Sequence, residues 1–214
     1  RENNIAVLSG GSGLYIDAVS KGFDVLPKVV PGLRKDLEEE LNTKGLDLLV
    51  TELLQKDPEY GNEVDLKNPQ RILRALEIIR SSGEKFSALR KREIKPRPFL
   101  TIKIGLNRER DELYRRIDKR MDIMLETGLL EEAKKYVNFR NCNALKTVGY
   151  KEIYHYLDKE YDWDEAVRLL KRNTRRIAKR QLTWFRKDAE ITWFHPSQEK
   201  EIINHIDKHI GKTN

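Results

Sequence analysis

The sequence is poor in cysteine and in long apolar segments, and each shortage excludes a class of protein. One cysteine, Cys142, among 214 residues excludes an internal disulfide framework and a cysteine-based zinc site, and it favours a reducing compartment. The apolar run Ile5 to Leu8 is too short for a signal-peptide core, and no run reaches the roughly 18 apolar residues of a membrane span. We therefore expect a cytoplasmic protein without a membrane span.

The sequence contains four histidines, and they do not form a metal-binding pattern. His205 and His209 are four residues apart, but Ile206 stands where the zinc-binding helix of a metalloprotease has glutamate. The spacing favours two exposed histidines on a terminal helix. No serine, threonine or cysteine is paired with a nearby histidine in a pattern that indicates acyl transfer. We expect no metal site built from the residues of this chain.

Basic residues outnumber acidic ones, and the excess is concentrated in one segment. Lys and Arg number 42 against 35 Asp and Glu, a formal net charge of +7. Between Lys171 and Lys187 the chain has eight basic residues and no acidic residue. The segment belongs to a predicted helix over 163–187, where like charges four residues apart repel, so a nucleic acid backbone is a natural partner. Trp184 and Phe185 could stack on an unpaired base, and a solvated basic face is the alternative.

A second basic cluster alternates with acidic residues. It comprises Arg115, Arg116, Lys119 and Arg120, which are interleaved with Asp111, Glu112, Asp118 and Asp122. Residues four positions apart are neighbours on a helix, so these acidic side chains can neutralise the basic ones. From spacing alone, this segment is predicted to be an ordinary surface helix.

The order of the patterns predicts an α/β protein that contains a helical subdomain. Apolar or alternating segments at 5–8, 99–106 and 191–194 are typical of short strands. Between these strands the apolar residues recur with helical period, interrupted by glycine and proline turn signals. We divide the chain into a core of residues 1–24 and 98–214 and a helical insertion subdomain of residues 25–97.

Several helix boundaries can be predicted from capping residues. Asn68-Pro69 indicates a helix start, because asparagine is a good N-cap and proline suits the first helical position. Asn107 is expected to cap a helix that runs to about Thr127 and ends at Gly128. A further helix is predicted over 129–139.

A glycine-rich turn, Ser9 to Gly13, follows the first apolar run. Between a strand and a helix, such a turn lies at the sheet edge where ligands bind in α/β proteins. Ile16 stands where a dinucleotide-binding turn has its third glycine. The phosphate-binding pattern Gly-x-x-x-x-Gly-Lys-Ser/Thr is absent. Gly211-Lys212-Thr213 matches the end of this pattern, but its first glycine is replaced by Ile206. A tight turn whose glycines only relieve backbone strain is the alternative.

Five motifs stand in a defined order along the chain. They are GGSGLY at 10–15, NPQRILRALE at 68–77, LYRRI at 113–117, TVGYKE at 147–152 and AKRQLTWFR at 178–186. Together they resemble the tRNA dimethylallyltransferases, a family that attaches an isopentenyl group to the adenosine beside the anticodon of tRNA. The resemblance extends over essentially the whole chain.

The resemblance implies a helix-rich α/β core of the P-loop NTPase type, with a tRNA anticodon stem-loop gripped between this core and the insertion. It also implies dimethylallyl diphosphate as donor and Mg2+ as cofactor, and Arg116 matches the catalytic arginine that holds the donor's diphosphate. The residues that match tRNA contacts are Ser12, Arg34, Gln70, Arg71, Ile72, Leu73, Arg74, Lys146, Thr147, Val148, Gly149, Tyr150, Lys151, Lys179, Arg180, Gln181, Trp184 and Arg186. We expect the protein to act as a monomer.

The sequence departs from the family pattern in one respect. It contains neither the family's phosphate-binding loop nor the Asp-Ser segment whose aspartate is the general base. Both would precede Arg1, with part of the magnesium ligands, so we expect a fragment that is inactive in isolation. A non-catalytic RNA-binding module with the same fold is the alternative interpretation. A small-molecule kinase would share the core but would not account for Gln70, Arg71 and Arg74.

Overall fold

The computed structural model describes residues 5–91 and 93–210, and the chain divides into two compact units. One unit comprises residues 14–99, and we call it the helical unit. The other comprises residues 1–13 and 100–214, and we call it the α/β unit. No helix in the described ranges is long and apolar enough to cross a membrane.

Among the described residues, six helices belong to the helical unit or lead into it. They are α1 (Gly13–Ser20), α2 (Leu33–Lys44), α3 (Leu46–Lys56), α4 (Pro58–Glu63), α5 (Pro69–Ser82) and α6 (Phe86–Leu89). The sequence analysis assigns residues 14–24 to the core, whereas this division groups them with the helical unit. Two hydrogen bonds within the unit account for the grouping. Arg97 donates to the carbonyl of Ala18 at 2.6 Å, and the Lys95 N–H donates to the carbonyl of Lys21 at 2.8 Å.

Helix α5 lies at the centre of the core of the helical unit. It begins at Pro69, after Asn68 caps its first turn by accepting a backbone hydrogen bond, and it ends at Gly83, which has φ 75°. The predicted start of this helix is confirmed, and the left-handed φ explains the glycine at its end. The buried face of α5 packs against leucines of α2 and α3, namely Leu37, Leu49 and Leu53.

The α/β unit contains two strands and five helices in its described part. They are β1 (Ile104–Leu106), α7 (Arg110–Glu126), α8 (Leu129–Lys135), α9 (Tyr150–Leu157), α10 (Trp163–Phe185), β2 (Thr192–Phe194) and α11 (Glu199–Ile210). The strands pair in parallel, with Gly105 opposite Trp193. A second hydrophobic core lies between α7, α8, α9 and α10, around Met121, Ala133 and Leu170. The predicted helix-rich α/β class is confirmed.

The predicted strand over 5–8 is wrong. These residues have no regular structure, and the Val7 side chain is 91% exposed. A strand needs a hydrogen-bonded neighbour, and in the described chain β1 and β2 pair only with each other. The strand predicted over 99–106 is likewise reduced to its last three residues, since Phe99 and Leu100 are exposed.

Two helix boundaries also differ from the predictions. Asn107 does not cap α7, because its N–H donates to the carbonyl of Phe194 at 3.0 Å and so extends the pairing of the sheet. Glu109 occupies the cap position instead, without a side-chain capping bond. The helix predicted over 129–139 ends at Lys135 and is followed by a 3-10 turn, Val137–Phe139. The predicted end of α7 before Gly128 is confirmed.

Candidate nucleic-acid interface

The glycine-rich turn and the end of α10 lie against each other in the α/β unit. A side chain added at Gly13 would overlap the Trp184 indole, and one added at Gly11 would overlap the Gln181 amide. Gly13 is therefore required by the close approach of the turn to the Trp184 ring, whereas the flexible Gln181 side chain could shift to admit a side chain at Gly11. Ser12 is exposed between the two glycines, and the Trp184 side chain is 46% exposed. The structure thus brings together Ser12, Gln181 and Trp184, three of the residues predicted to contact tRNA.

The basic residues in and just after α10 differ in whether they form ion pairs. Lys171 forms an ion pair with Asp122 at 2.5 Å, and Arg175 donates to both carboxylate oxygens of Asp118 at 2.6 and 2.7 Å. These two charges are therefore neutralised by α7, which spacing along α10 could not reveal. A second group is exposed and has no ion pair within the described residues: Arg176, Lys179, Arg180, Arg186 and Lys187.

The basic cluster of α7 is not neutralised in the predicted way. Asp118 and Asp122 pair with α10, and Glu112 pairs with Arg108. The four basic residues of the cluster are exposed and form no ion pair with the described part of the chain: Arg115, Arg116, Lys119 and Arg120. The expectation of a balanced surface helix is therefore wrong, because the acidic side chains face other partners. Arg116, matched to the diphosphate-binding arginine, lies among these unpaired cations.

The segment 146–151 is held by one buried carboxylate. Gly149 has φ 110° and precedes α9, and its N–H donates to Glu152 Oε2 at 2.8 Å. The Asn173 amide of α10 donates to Glu152 Oε1 at 2.7 Å. Glu152 is 3% exposed, so both bonds are shielded from water. No role is predicted for Glu152 from the sequence, although a glutamate three residues after an N-cap can accept a hydrogen bond from the N-cap N–H.

The predicted tRNA-contacting residues in this segment differ in exposure. Lys146, Thr147 and Lys151 are exposed, whereas Val148 packs on the core and Gly149 is buried. The Tyr150 hydroxyl donates to Glu132 Oε1 at 2.5 Å, and this bond together with burial raises the pKa of Tyr150 to about 12. The side chains available to a ligand are therefore the two lysines and the threonine. Val148 and Gly149 support the segment, and their contact with tRNA stays a prediction.

A cavity of about 310 Å³ lies beside the same segment. Its lining comprises Arg140, Asn141, Leu145, Lys146, Lys151, Tyr154, His155 and Asp158. The Tyr154 hydroxyl is buried and has no hydrogen-bond partner among the described residues. Arg140 pairs with Asp158 at 2.7 Å, so the unpaired charges of the lining are those of the two lysines. Cys142 is exposed in the loop that precedes them.

In the helical unit, the predicted residues divide between surface and core. Arg34 donates to Gln70 Oε1 and pairs with Glu38 at 3.0 Å, and Arg71 is exposed beside them. Ile72 and Leu73 are 0% exposed. Their predicted role as tRNA contacts is wrong for their side chains, because the core of the unit encloses both. They position the polar residues on either side of them in α5.

Arg74 lines a second cavity, of about 350 Å³, within the helical unit. It pairs with the buried Glu77 at 2.7 Å while its own side chain is 46% exposed. The other lining residues are Phe23, Asp24, Leu26, Phe86 and Arg90. No sequence motif indicates Phe23 or Arg90. Both lie outside the NPQRILRALE segment, and the fold places them beside Arg74 in the lining of the cavity.

A family model for IPP transferases matches residues 1–188 of this chain. The tRNA dimethylallyltransferase of Cytophaga hutchinsonii is 50% identical over 206 residues, which cover 96% of this chain and 68% of the relative. The tRNA dimethylallyltransferase 1 of Bacteroides fragilis is 47% identical over 210 residues, with coverages of 98% and 70%.

Solved structures are similar as well. The full-length tRNA isopentenylpyrophosphate transferase of Bacillus halodurans is 39% identical with a TM-score of 0.57, over 94% of this chain and 64% of that one. A eukaryotic dimethylallyltransferase acting on tRNA is 22% identical with a TM-score of 0.72, a likeness of fold alone, over 95% of this chain and 56% of that one. The chain thus spans between about half and 70% of the length of these proteins.

Proposed function

Because this chain belongs to the tRNA dimethylallyltransferase family, we propose that it forms the RNA-binding surface and part of the donor site of such an enzyme. The reaction moves a dimethylallyl group from dimethylallyl diphosphate to the exocyclic amine of the adenosine 3′ of the anticodon. The core is proposed to be of the P-loop NTPase type. The proposal rests on one observation. The glycine-rich turn contacts the Trp184 indole at the end of α10, where exposed cations form no ion pair within the described residues.

Each part of this surface suits one requirement of the reaction. The adenine amine is not accessible within a base stack, so the base must leave the stack at a cost of about a few kcal/mol. An exposed aromatic ring such as Trp184, beside Ser12, can stack on an unpaired base and recover part of that cost. Lys179, Arg180 and Arg186 supply positive charge for the flanking phosphates.

Arg116 is proposed as the catalytic residue of this chain. As the bond between the allylic carbon and the diphosphate breaks, negative charge grows on the leaving diphosphate. A guanidinium group that binds this diphosphate stabilises the transition state more than the ground state. Arg116 has no acidic partner among the described residues, so its charge is not already neutralised within the protein.

The described residues do not by themselves supply a full set of protein ligands for the magnesium ion that the family resemblance implies. No three His, Cys, Asp or Glu side chains within the described ranges come together in a group that could hold a metal ion. The chemistry proposed for this chain is therefore limited to RNA binding and diphosphate binding. A role as a non-catalytic RNA-binding module is disfavoured, because relatives at 47–50% identity are named as transferases.

The proposal is tested by RNA binding of the 214-residue chain at two salt concentrations. The ligands are an anticodon stem-loop with adenosine 3′ of the anticodon and the same stem-loop with guanosine there. We expect tighter binding of the adenosine form, with a preference that persists while the absolute affinity falls with salt. Equal binding of both forms that only weakens with salt would contradict the proposal and leave a nonspecific phosphate-binding protein.

A further inference from the structure

Helices α7 and α10 are antiparallel, and two ion pairs define how they face each other. Asp118 of α7 pairs with Arg175, and Asp122, one turn later, pairs with Lys171, one turn earlier on α10. Between these pairs, the Thr174 hydroxyl oxygen lies 3.6 Å from the Met121 sulfur. Two acidic side chains of α7, Asp118 and Asp122, are thus directed at its partner helix.

The helical repeat then determines which residues share each flank of the pair. At about 100° per residue, Arg115 and Lys119 lie about 60° and 100° round α7 from Asp118. Arg176 and Arg180 lie about 100° and 140° round α10 from Arg175 in the same sense of rotation. Because the helices are antiparallel, the same sense of rotation leads to the same side of the pair.

The residues on the other side of the helix pair are buried, which shows that the side with the four cations faces solvent. Met121 on α7 and Leu170 on α10 lie in the other sense of rotation, and both belong to the buried core. The four cations are all exposed and have no ion pair within the described residues. We call Arg115, Lys119, Arg176 and Arg180 the α7–α10 basic face.

We propose that the α7–α10 basic face binds the phosphate backbone of the base-paired stem of the tRNA. This inference rests on the proposed function and extends it to Arg115 and Lys119, which no motif match assigns to RNA. The ion pairs Asp118–Arg175 and Asp122–Lys171 remove acidic charge from this side of the molecule. None of the four exposed cations forms an ion pair within the described residues, so their charge is available to an approaching polyanion.

The chemistry of the face favours a backbone over unpaired bases. Its four named members are long cationic side chains, which bind phosphate through charge and guanidinium hydrogen bonds. Stacking on bases needs exposed rings, and the ring of Tyr114 on α7 is instead covered by Arg110 and Arg175, whose guanidinium carbons lie 5.2 and 5.9 Å from its centroid. Contacts to the phosphates of a base-paired stem carry no sequence information, so a sequence-independent contact is expected.

The test compares three double variants of the 214-residue chain. Arg115→Gln/Lys119→Gln removes two charges from the face, and Lys200→Gln/Lys208→Gln removes two exposed charges from α11 as the matched control. Arg115→Lys/Lys119→Arg retains the charge of the face. Binding of the adenosine stem-loop, and of its unpaired loop sequence alone, is measured across a salt series, with circular dichroism to verify folding.

We expect Arg115→Gln/Lys119→Gln to bind the stem-loop about tenfold more weakly. The slope of log affinity against log salt concentration should decrease in magnitude by about 2, because each lost phosphate contact lowers it by about 1. Its binding of the isolated loop and its preference for adenosine should be unchanged, and the other two variants should resemble the wild type. An unchanged slope, or an equal loss in the α11 control, overturns the inference. Absence of an adenosine preference in the wild type would instead contradict the proposed function.

Discussion

At the scale of single residues, the contact between Gly13 and Trp184 joins two parts of the chain that are 171 positions apart. The sequence analysis identified both residues through family motifs, but their proximity depends on the path of α10. A glycine-rich turn alone suggested either ligand binding or relief of backbone strain. The structure adds a third reason for the glycine, since no side chain fits between the turn and the indole.

The substitution Gly13→Ala is expected to weaken stem-loop binding by about fivefold to tenfold. The new methyl group must displace the Trp184 ring, which the close approach of the two residues does not otherwise allow. Binding is measured by fluorescence titration, and Gly10→Ala, where no atom lies within 4 Å of the added carbon, is the matched control. Equal affinities for the two variants would show that the position of Trp184 is unimportant for RNA binding.

Arg116→Ala is expected to separate catalysis from RNA binding. In an enzyme that contains these residues together with a phosphate-binding loop, the rate of prenyl transfer should fall by about 100-fold or more, because the loss is of transition-state stabilisation. Stem-loop affinity should change by less than about twofold. Single-turnover kinetics and RNA titration provide the two measurements, with Arg120→Ala on the same helix as the control. An unchanged rate would remove Arg116 from the donor site.

At the scale of elements, the ion pairs of α7 and α10 differ from those that spacing predicts, because they form between the two helices and not within α7. The sequence analysis treated α7 as balanced by its own acidic residues and α10 as uncompensated, because it could compare only residues on one helix. Asp118 and Asp122 pair with α10, and the four α7 cations have no ion pair within the described part of the chain. Charge balance between helices therefore could not be predicted from either helix alone, whereas helix limits marked by Asn68 and Gly128 could.

Glu152 is expected to act as a positioning residue for the segment 146–151. Glu152→Ala removes both hydrogen bonds that join Gly149 to Asn173 and should weaken stem-loop binding by about tenfold, with a loss of about 2–3 kcal/mol in stability. Glu152→Gln should restore most of the affinity, because its amide can accept from Gly149 and donate to a reoriented Asn173.

The control for Glu152 is Tyr161→Phe. It removes the 2.8 Å hydrogen bond from the Tyr161 hydroxyl to the Glu152 carbonyl but leaves the carboxylate bonds intact. This variant should lose stability without losing RNA affinity. If it weakens RNA binding as much as Glu152→Ala does, the carboxylate has only a general structural role. Urea unfolding and RNA titration are run on all three variants.

The ion pairs of α5 make the stability of the helical unit sensitive to acid. Arg80 donates to Glu40 at 2.7 Å and to Glu52 at 2.5 Å, and these bonds hold the pKa of both carboxyl groups below the usual range. Groups with a lowered pKa stabilise the fold when ionised, so this contribution is full near neutral pH. It should be lost as the pH falls below about 4.3, when protonation begins to favour the unfolded chain.

The measurement is the urea midpoint between pH 3 and pH 7, followed by circular dichroism. Arg80→Gln should be about 2 kcal/mol less stable at neutral pH and should show a weaker acid dependence, because the pKa of each carboxyl returns towards its ordinary value. The control is Glu38→Gln, at an exposed glutamate on the same helix as Glu40. A wild-type midpoint that is independent of pH in this range would contradict the assignment.

At the scale of the whole molecule, the family and the fold class could be predicted, but the distribution of roles among motif residues could not. The five motifs predicted the family that the comparisons confirm. Within the NPQRILRALE motif, however, Ile72 and Leu73 belong to the core while Gln70, Arg71 and Arg74 are accessible. A motif records which residues recur together, and only the fold separates those that touch a ligand from those that support the helix.

The single cysteine gives the molecule one natural position for a chemical label. Cys142 is exposed, four residues before Lys146 and in the loop beside the cavity lined by Lys146 and Lys151. A maleimide dye attached there reports from one known place without any cysteine substitution elsewhere, since the sequence has no second thiol. Energy transfer from this dye to a fluorophore at either end of a stem-loop can therefore determine the direction in which the RNA lies on the protein.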